Sequence, residues 1–524
     1  MSLDAAADRV ISLDELAKHN KDGDLWIAVD GHVLDCTKFA KLHPGGKQAL
    51  LDVAGKDATM EFYALHRSEV IEKYLPRLKI GVLSEARKPP PSKVDASGLP
   101  LAPPYCSIPA FQPGWKSPYY NETHHELRRG VRDFIDKELR PIAIQMDTDG
   151  IEPKSDLVKK CGDAGILAAR LGPGPHLKGR KIPGDVAWDK FDYFHELVLS
   201  EEFCRLGCPG FGDGLAGGLT IGLPPVAMFA SEAVKRAIIP PVLNGDKRIC
   251  LAISDAYAGS DAAGITAVAT RTPCGGFFEV TGTKKWITGG CGADYFCTAV
   301  RTGPKPGAGG VSLLLIERTE GVTTKAMSTR YGKAAGTAFV TFDKARVPVG
   351  NLLGEENKGF KCIMFNFNHE RWVMCCTMVG YCRVLLEESM RWSTLRKAFG
   401  KPLLAQPVIR ERLAAMTAET EACHAWVETL TYQMCNMDPR KQHQLLGGPI
   451  ALCKARCSRA MASVANNAAQ VFGGRAITKT GMGSVVERVS NYVKFGAILG
   501  GSEEILDDLA MRQAAKEMAI HARL

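Results

Sequence analysis

The chain has no apolar run near the roughly 20 residues that span a bilayer, so no membrane span is expected. It has no Cys-x-x-Cys pair. Cys453 and Cys457 in "CKARC" sit in a helix-like run that reads as packing rather than metal ligation. The opening "MSLDAAADRV" lacks the basic-then-apolar pattern of a secretory signal. No basic block carries interleaved aromatics, so nucleic acid is not an expected partner. Internal repeats and low-complexity tracts are also missing.

What is present describes a large globular protein. At 524 residues the chain is too long for one core, so several domains are expected. Hydrophobic content of 45% and charged content of 23% are ordinary for such a protein. Seventeen cysteines, an odd number without a secretory signal, imply reduced thiols in a cellular compartment. The net charge of +9 is spread along the chain and suits a phosphate-bearing substrate. The last residues, Ala522-Arg523-Leu524, resemble the small-basic-Leu peroxisomal address. A peroxisome is therefore the expected location, with mitochondrion or cytoplasm as alternatives.

Periodicity divides the chain. Residues 1–85 form one unit, in which "DLWIAVDGHVLDC" alternates around a hairpin at Asp30-Gly31. Residues 86–115, rich in Pro, Ser and Lys, read as a linker of about 30 Å as flexible coil, which would let the first unit swing and dock. Residues 116–245 show helical spacing, as in "HHELRRGVRDFIDKELRPIAIQM". Residues 246–350 change to strands, among them "FFEVTGTKKWITGG", "YFCTAVRTG" and "VSLLLIERT". Residues 351–524 return to long helices. Helix, strand, helix suggests a sheet between two helical layers, not a doubly wound fold.

In the first unit, "LHPGGKQALLDVAGKDATMEFYALHRSEV" carries His43 and His66 among apolar flanks. Two imidazoles can fill both axial positions of a haem iron, which leaves electron transfer as its task. The "HPGG" run, the later "LH" and the closing "LKIGVL" resemble a cytochrome b5 domain. The resemblance implies a small α+β fold, haem b, and His43 and His66 as the iron ligands.

In the rest, five blocks occur in order: "LAISDAYAGSDAAG", "TGTKKWITGG", "LRKAFGKPLLAQP", "NNAAQVFGGRAI" and "AILGGSEEIL". Small residues let a backbone approach a ring or phosphate closely. This order resembles the acyl-CoA dehydrogenase family over about 120–520. The resemblance implies an α-helical domain, a β-barrel or sandwich domain and a C-terminal four-helix bundle. FAD would lie between sheet and bundle and be shared between subunits of a dimer or tetramer. Ile253, Ser254, Trp286 and Thr288 would then face the flavin. Arg396, Phe399, Gln470, Gly473 and Gly474 would reach a neighbour's FAD, and Ser502 and Glu504 would contact the adenine-side phosphates or ribose. Ser260, Asn368, Arg371 and Gly501 would lie along the acyl-CoA.

Family chemistry takes an α-proton with a carboxylate held in a dry pocket and passes the β-hydride to FAD. Many members place that glutamate just before the Gly-Thr/Ser of the last block, where this chain has Gly500. In the isovaleryl and long-chain branches it comes instead from a bundle helix, directly before an arginine. Here that residue is Glu370, before Arg371, at the mouth of the apolar run "RWVMCCTMVGYCRVLL". His369 would point elsewhere, about 100° round the helix. Other departures are Ser254-Asp255-Ala256 for Thr-Glu-Pro, Gln406-Pro407 in the third block and Asn491-Tyr492 for Arg-Asp.

The fusion implies a flavohaem acyl-CoA dehydrogenase that makes a 2-enoyl-CoA, with its own haem, O₂ or an electron-transferring flavoprotein as acceptor. An oxidase using O₂, or a non-catalytic flavin and haem redox module, are the alternatives.

Overall fold

The computed structural model describes residues 9–84 and 93–521. The C-terminal tripeptide Ala522-Arg523-Leu524 lies outside the described residues.

The first unit is a five-stranded sheet in the order Val10–Ile11, Lys79–Leu83, His32–Asp35, Asp24–Val29, Asn20–Lys21. Asp30 and Gly31 both take positive φ, 51° and 76°, as a type I′ hairpin requires, and Val29 pairs with His32. Leu25, Ile27, Val29 and Leu34 pack with Ala40, Leu50 and Phe62 from the helical segments that flank His43 and His66.

In the helical domain, Glu122–Phe134 and Tyr193–Cys204 pack together. Each starts with a side-chain cap, from Asn121 and Asp192. The strand region forms one sheet in the order Val322–Ala326, Ala338–Pro348, Phe277–Ile287, Val268–Arg271, Tyr295–Arg301, Val311–Glu317, Leu352–Leu353, with Ile249–Ala252 parallel to Tyr295–Arg301. The final region is a bundle of Gly359–Leu395, Pro407–Asn436, Gly447–Phe472 and Ser484–Ile498, followed by Glu503–His521. Gly359–Leu395 is buried nearly all round in its middle, which explains the apolar run after Arg371.

The expected linker is corrected in part. Residues 93–115 are not a free tether but a strap on the helical domain. Cys106, Ile108 and Phe111 enter the main core. Asp95 is buried and pairs with Arg128 at 2.5 Å, and Arg128 also reaches Glu202 at 3.1 Å. Arg383, buried in the bundle, donates to Tyr105 O at 2.9 Å. Residues 86–92 of the expected linker lie outside the described residues.

Candidate active site and haem site

Glu370 sits one third of the way along Gly359–Leu395 and is 8% exposed. Its Oε2 has no hydrogen-bond partner among the described residues. It borders a cavity with Thr288, Val373, Met374 and Leu499. Burial pushes its carboxyl up to about 7, while Arg371, His369 and Lys454 pull the other way.

Gly500 faces the same point. It has φ +64°, and a Cβ built on it would lie 2.9 Å from Met374 Sδ and 3.8 Å from Glu370 Oε1. The loop is fixed from both sides. Arg371 Nε donates to Gly500 O at 2.8 Å, and Lys454 Nζ donates to Gly501 O at 2.8 Å and Ala497 O at 3.1 Å. Gly501 therefore lies beside Arg371 and Glu370, with Ser502 next to it at the start of Glu503–His521 and Glu504 exposed in the first turn of that helix. His369 turns away, with Nε2 3.0 Å from Glu196 Oε2 and its ring stacked on Trp372. Asn368 is partly buried on the same helix, and Ser260 is exposed in the loop after Asp255.

The sheet presents its own edge to this region. Ile253 and Ser254 follow the strand Ile249–Ala252, where Lys284 Nζ donates to Ile253 O at 2.7 Å and Lys285 N to Ser254 O at 3.0 Å. Asp255 is buried as a loop staple, accepting from the backbone N–H of Tyr257, Ala258 and Thr266. Trp286 takes φ +60° and is half exposed, with Lys285 Nζ 4.5 Å from its ring centroid, and Thr288 lines the cavity. An aromatic plane, small residues and a hydroxyl at one edge fit an isoalloxazine ring.

A second group lies elsewhere. Phe399 is 96% exposed at φ +52°, with Arg396, Gln470, Gly473 and Gly474 also exposed. Trp392 joins them, stacking on Phe472 and lying under Arg475. From Glu370 to Trp392 the helix runs 22 residues at about 1.5 Å each, roughly 33 Å. This group therefore lies far from the edge that carries Trp286 and Thr288.

His43 and His66 face one another, ring centroids 5.9 Å apart at 50°. Nδ1 of each lies against a backbone carbonyl, Gly46 O at 3.0 Å and Phe62 O at 3.1 Å, which leaves Nε2 of each free for a metal. Leu42, Met60 and Leu65 are large exposed apolar side chains of the same unit, of the kind that would wall a macrocycle. The donor set fits haem. Beside it, Arg67 makes a two-pronged pair with Glu388 of the bundle at 2.6 and 3.0 Å.

Sequence reasoning missed Arg170, Ser200, Asp213 and Tyr381, which line the same cavity, and noted Tyr492 only as a departure. They come from separate elements, and only the Gly-rich "GFGDGLAGG" around Asp213 offered a local signal. Cys453 and Cys457 are buried with Sγ atoms 3.9 Å apart, and Cys375 adjoins them in the bundle interior. All seventeen cysteines are free thiols.

Comparisons with known proteins agree with this geometry. Residues 12–84 match "Cytochrome b5-like Heme/Steroid binding domain", and 121–246, 250–345 and 357–515 match the N-terminal, middle and C-terminal domains of acyl-CoA dehydrogenase. "Acyl-CoA dehydrogenase apdG" of Emericella nidulans is 37% identical over 430 residues, 80% of this chain and 96% of its own. "Acyl-CoA dehydrogenase AFT10-1" of Alternaria alternata is 36% identical, over 79% and 97%. The crystal structure of an acyl-CoA dehydrogenase from Geobacillus kaustophilus superposes with a TM-score of 0.67 at 26% identity, over 76% of this chain and 100% of that one. The chain belongs to the acyl-CoA dehydrogenase family, with a cytochrome b5 domain fused before it. It is an FAD-dependent oxidoreductase, and its cofactors are FAD and haem. No helix among the described residues is long and apolar enough to cross a membrane.

Proposed function

We propose that this chain dehydrogenates the α,β-bond of an acyl-CoA, with Glu370 as the base. What carries the reading is that Glu370 turns an unpartnered oxygen to the cavity while Gly500 brings no side chain up to the other oxygen. A buried carboxyl that ionises near neutrality is matched to proton abstraction at working pH. Glu370 Oε2 takes the α-proton, and the Val373, Met374 and Leu499 side chains keep water away. Arg371 and Lys454 act through the Gly500-Gly501 backbone, which they hold in place. When bound, FAD accepts the β-hydrogen with its electron pair, and haem carries electrons singly. The product is a 2-enoyl-CoA.

The acceptor we favour is the chain's own haem. Arg67, next to the iron ligand His66, clasps the bundle through Glu388, so the haem domain sits against the flavin-binding body. Phe399 and its exposed neighbours support a homo-oligomer that shares cofactor sites. Ala522-Arg523-Leu524 supports a peroxisomal location and a role in fatty acid metabolism there.

Anaerobic mixing with a panel of acyl-CoAs tests both parts. Flavin bleaching followed by ferrous haem bands is expected. No bleaching with any acyl-CoA would favour a non-catalytic redox module. Bleaching with haem left ferric, and peroxide formed in air, would favour an oxidase.

A further inference from the structure

Proton abstraction by Glu370 leaves part of its cavity unused. Ser200, 1% exposed on the helix Tyr193–Cys204, lines the cavity with an Oγ that has no partner among the described residues. Asp213 Oδ2 and Arg170 Nε are likewise buried and unpartnered, and both residues line the same space. Asp213 opens a π-turn, Asp213–Gly217, a widening of the helix often found at functional sites. The rings of Phe203, Tyr381 and Tyr492 complete this end.

A plain hydrocarbon chain placed here would leave a hydroxyl, a carboxyl and a guanidinium N–H dry and unpaired, which is costly. The charges narrow the alternatives. A terminal carboxylate would meet Asp213, and an ammonium would meet Arg170. A neutral hydroxyl suits both, donating to Asp213 Oδ2 while accepting from Ser200 Oγ–H or Arg170 Nε–H. Burial raises the Asp213 carboxyl to about 7 against the pull of Arg170, so this acceptor is poised near neutrality.

We propose that the far end of the cavity recognises an uncharged hydroxyl carried on the acyl group beyond its β-carbon, so that the substrate class is a hydroxylated acyl-CoA. The inference rests on the acyl-CoA reading above and adds the specificity of the same site.

Binding tests it without turnover. The full-length Glu370→Gln protein, loaded with FAD and haem, is titrated calorimetrically with matched pairs. These are saturated acyl-CoAs of four to ten carbons with their ω-hydroxy counterparts, and 3-phenylpropanoyl-CoA with 3-(4-hydroxyphenyl)propanoyl-CoA. Adipoyl-CoA is the charged control. At least one hydroxylated member should bind about tenfold or more tighter than its partner, because a site built for a hydroxyl penalises its loss strongly. Adipoyl-CoA should bind no tighter than hexanoyl-CoA. Adding Ser200→Ala, a small change that keeps the helix, should narrow the winning gap at least threefold, and Asp213→Asn should do likewise. Equal or weaker binding of every hydroxylated member, or a gap that neither substitution moves, overturns the inference and leaves the dehydrogenase reading standing. Failure of every thioester to bind overturns both.

Discussion

A methyl group built on Gly500 would lie 3.8 Å from Glu370 Oε1, so two residues 130 positions apart in sequence address one point in space. The space that a late-loop glutamate would fill is taken by a carboxylate from the bundle. Replacing Glu370 with Gln should slow flavin bleaching by acyl-CoA about 10²–10⁴-fold. Flavin and haem content should stay unchanged. Stopped-flow absorbance checks this, and turnover at the parent rate would remove Glu370 as base.

The converse change should also harm. Gly500→Glu would set a second carboxylate beside the first, force a side chain onto φ +64° and press on Met374. Activity should fall at least about tenfold, and the pH at half-maximal rate should rise through charge repulsion.

The pH dependence follows from burial. As the proposed base, Glu370 would act only when ionised, and burial raises its carboxyl to about 7. The parent's kcat/KM should therefore climb as pH rises through about 7, not through the ordinary glutamate range near 4.3. The stability effect has the opposite sign. A raised acid is favoured protonated in the fold, so its contribution is full below the unfolded value and fades as pH rises through about 7. A profile of kcat/KM already flat between pH 5 and 8 would contradict the assignment.

Arg67 and Glu388 tie the haem domain to the bundle with side chains only about one-fifth exposed. Reversing one charge, Arg67→Glu, should slow haem reduction after anaerobic substrate addition by about tenfold or more while flavin bleaching keeps its rate. The double reversal with Glu388→Arg should recover part of the loss. Parallel loss of both signals would mean that the pair supports the fold rather than the docking.

Asp95 and Arg128 form the buried anchor of the strap. Removing one partner leaves a charge uncompensated, so Asp95→Ala should cost about 3–5 kcal/mol of stability. Urea unfolding followed by tryptophan fluorescence reads it. Arg128→Met with Asp95→Leu should cost less than Asp95→Ala alone, because no charge is stranded.

Local order made much of this legible. Asp30-Gly31 is a turn that any alternating flank exposes, and "HPGG" with the later "LH" marks the two histidines that the fold brings face to face. Glu370 stood out because a charged triplet precedes an apolar stretch, and Gly500 because a glycine stands where a base was expected. The strap was hidden. Its prolines dominate the composition, while its anchors, Asp95 and the Tyr105 carbonyl, meet arginines far along the chain. The polar end of the cavity was hidden for the same reason. Arg170, Ser200 and Asp213 each belong to a different segment, and nothing in the order of residues says they converge.

Trp392, in the exposed group with Arg396 and Phe399, stands about 33 Å along a helix from Glu370, so in the proposed homo-oligomer a shared cofactor site would draw its base and its far-end clasp from different molecules. Two defective proteins can then repair one another. Co-expressed Glu370→Gln and Arg396→Glu chains would form hybrids in which one pocket inherits both faults and the other inherits neither. Activity of such a mixture should exceed that of either parent alone.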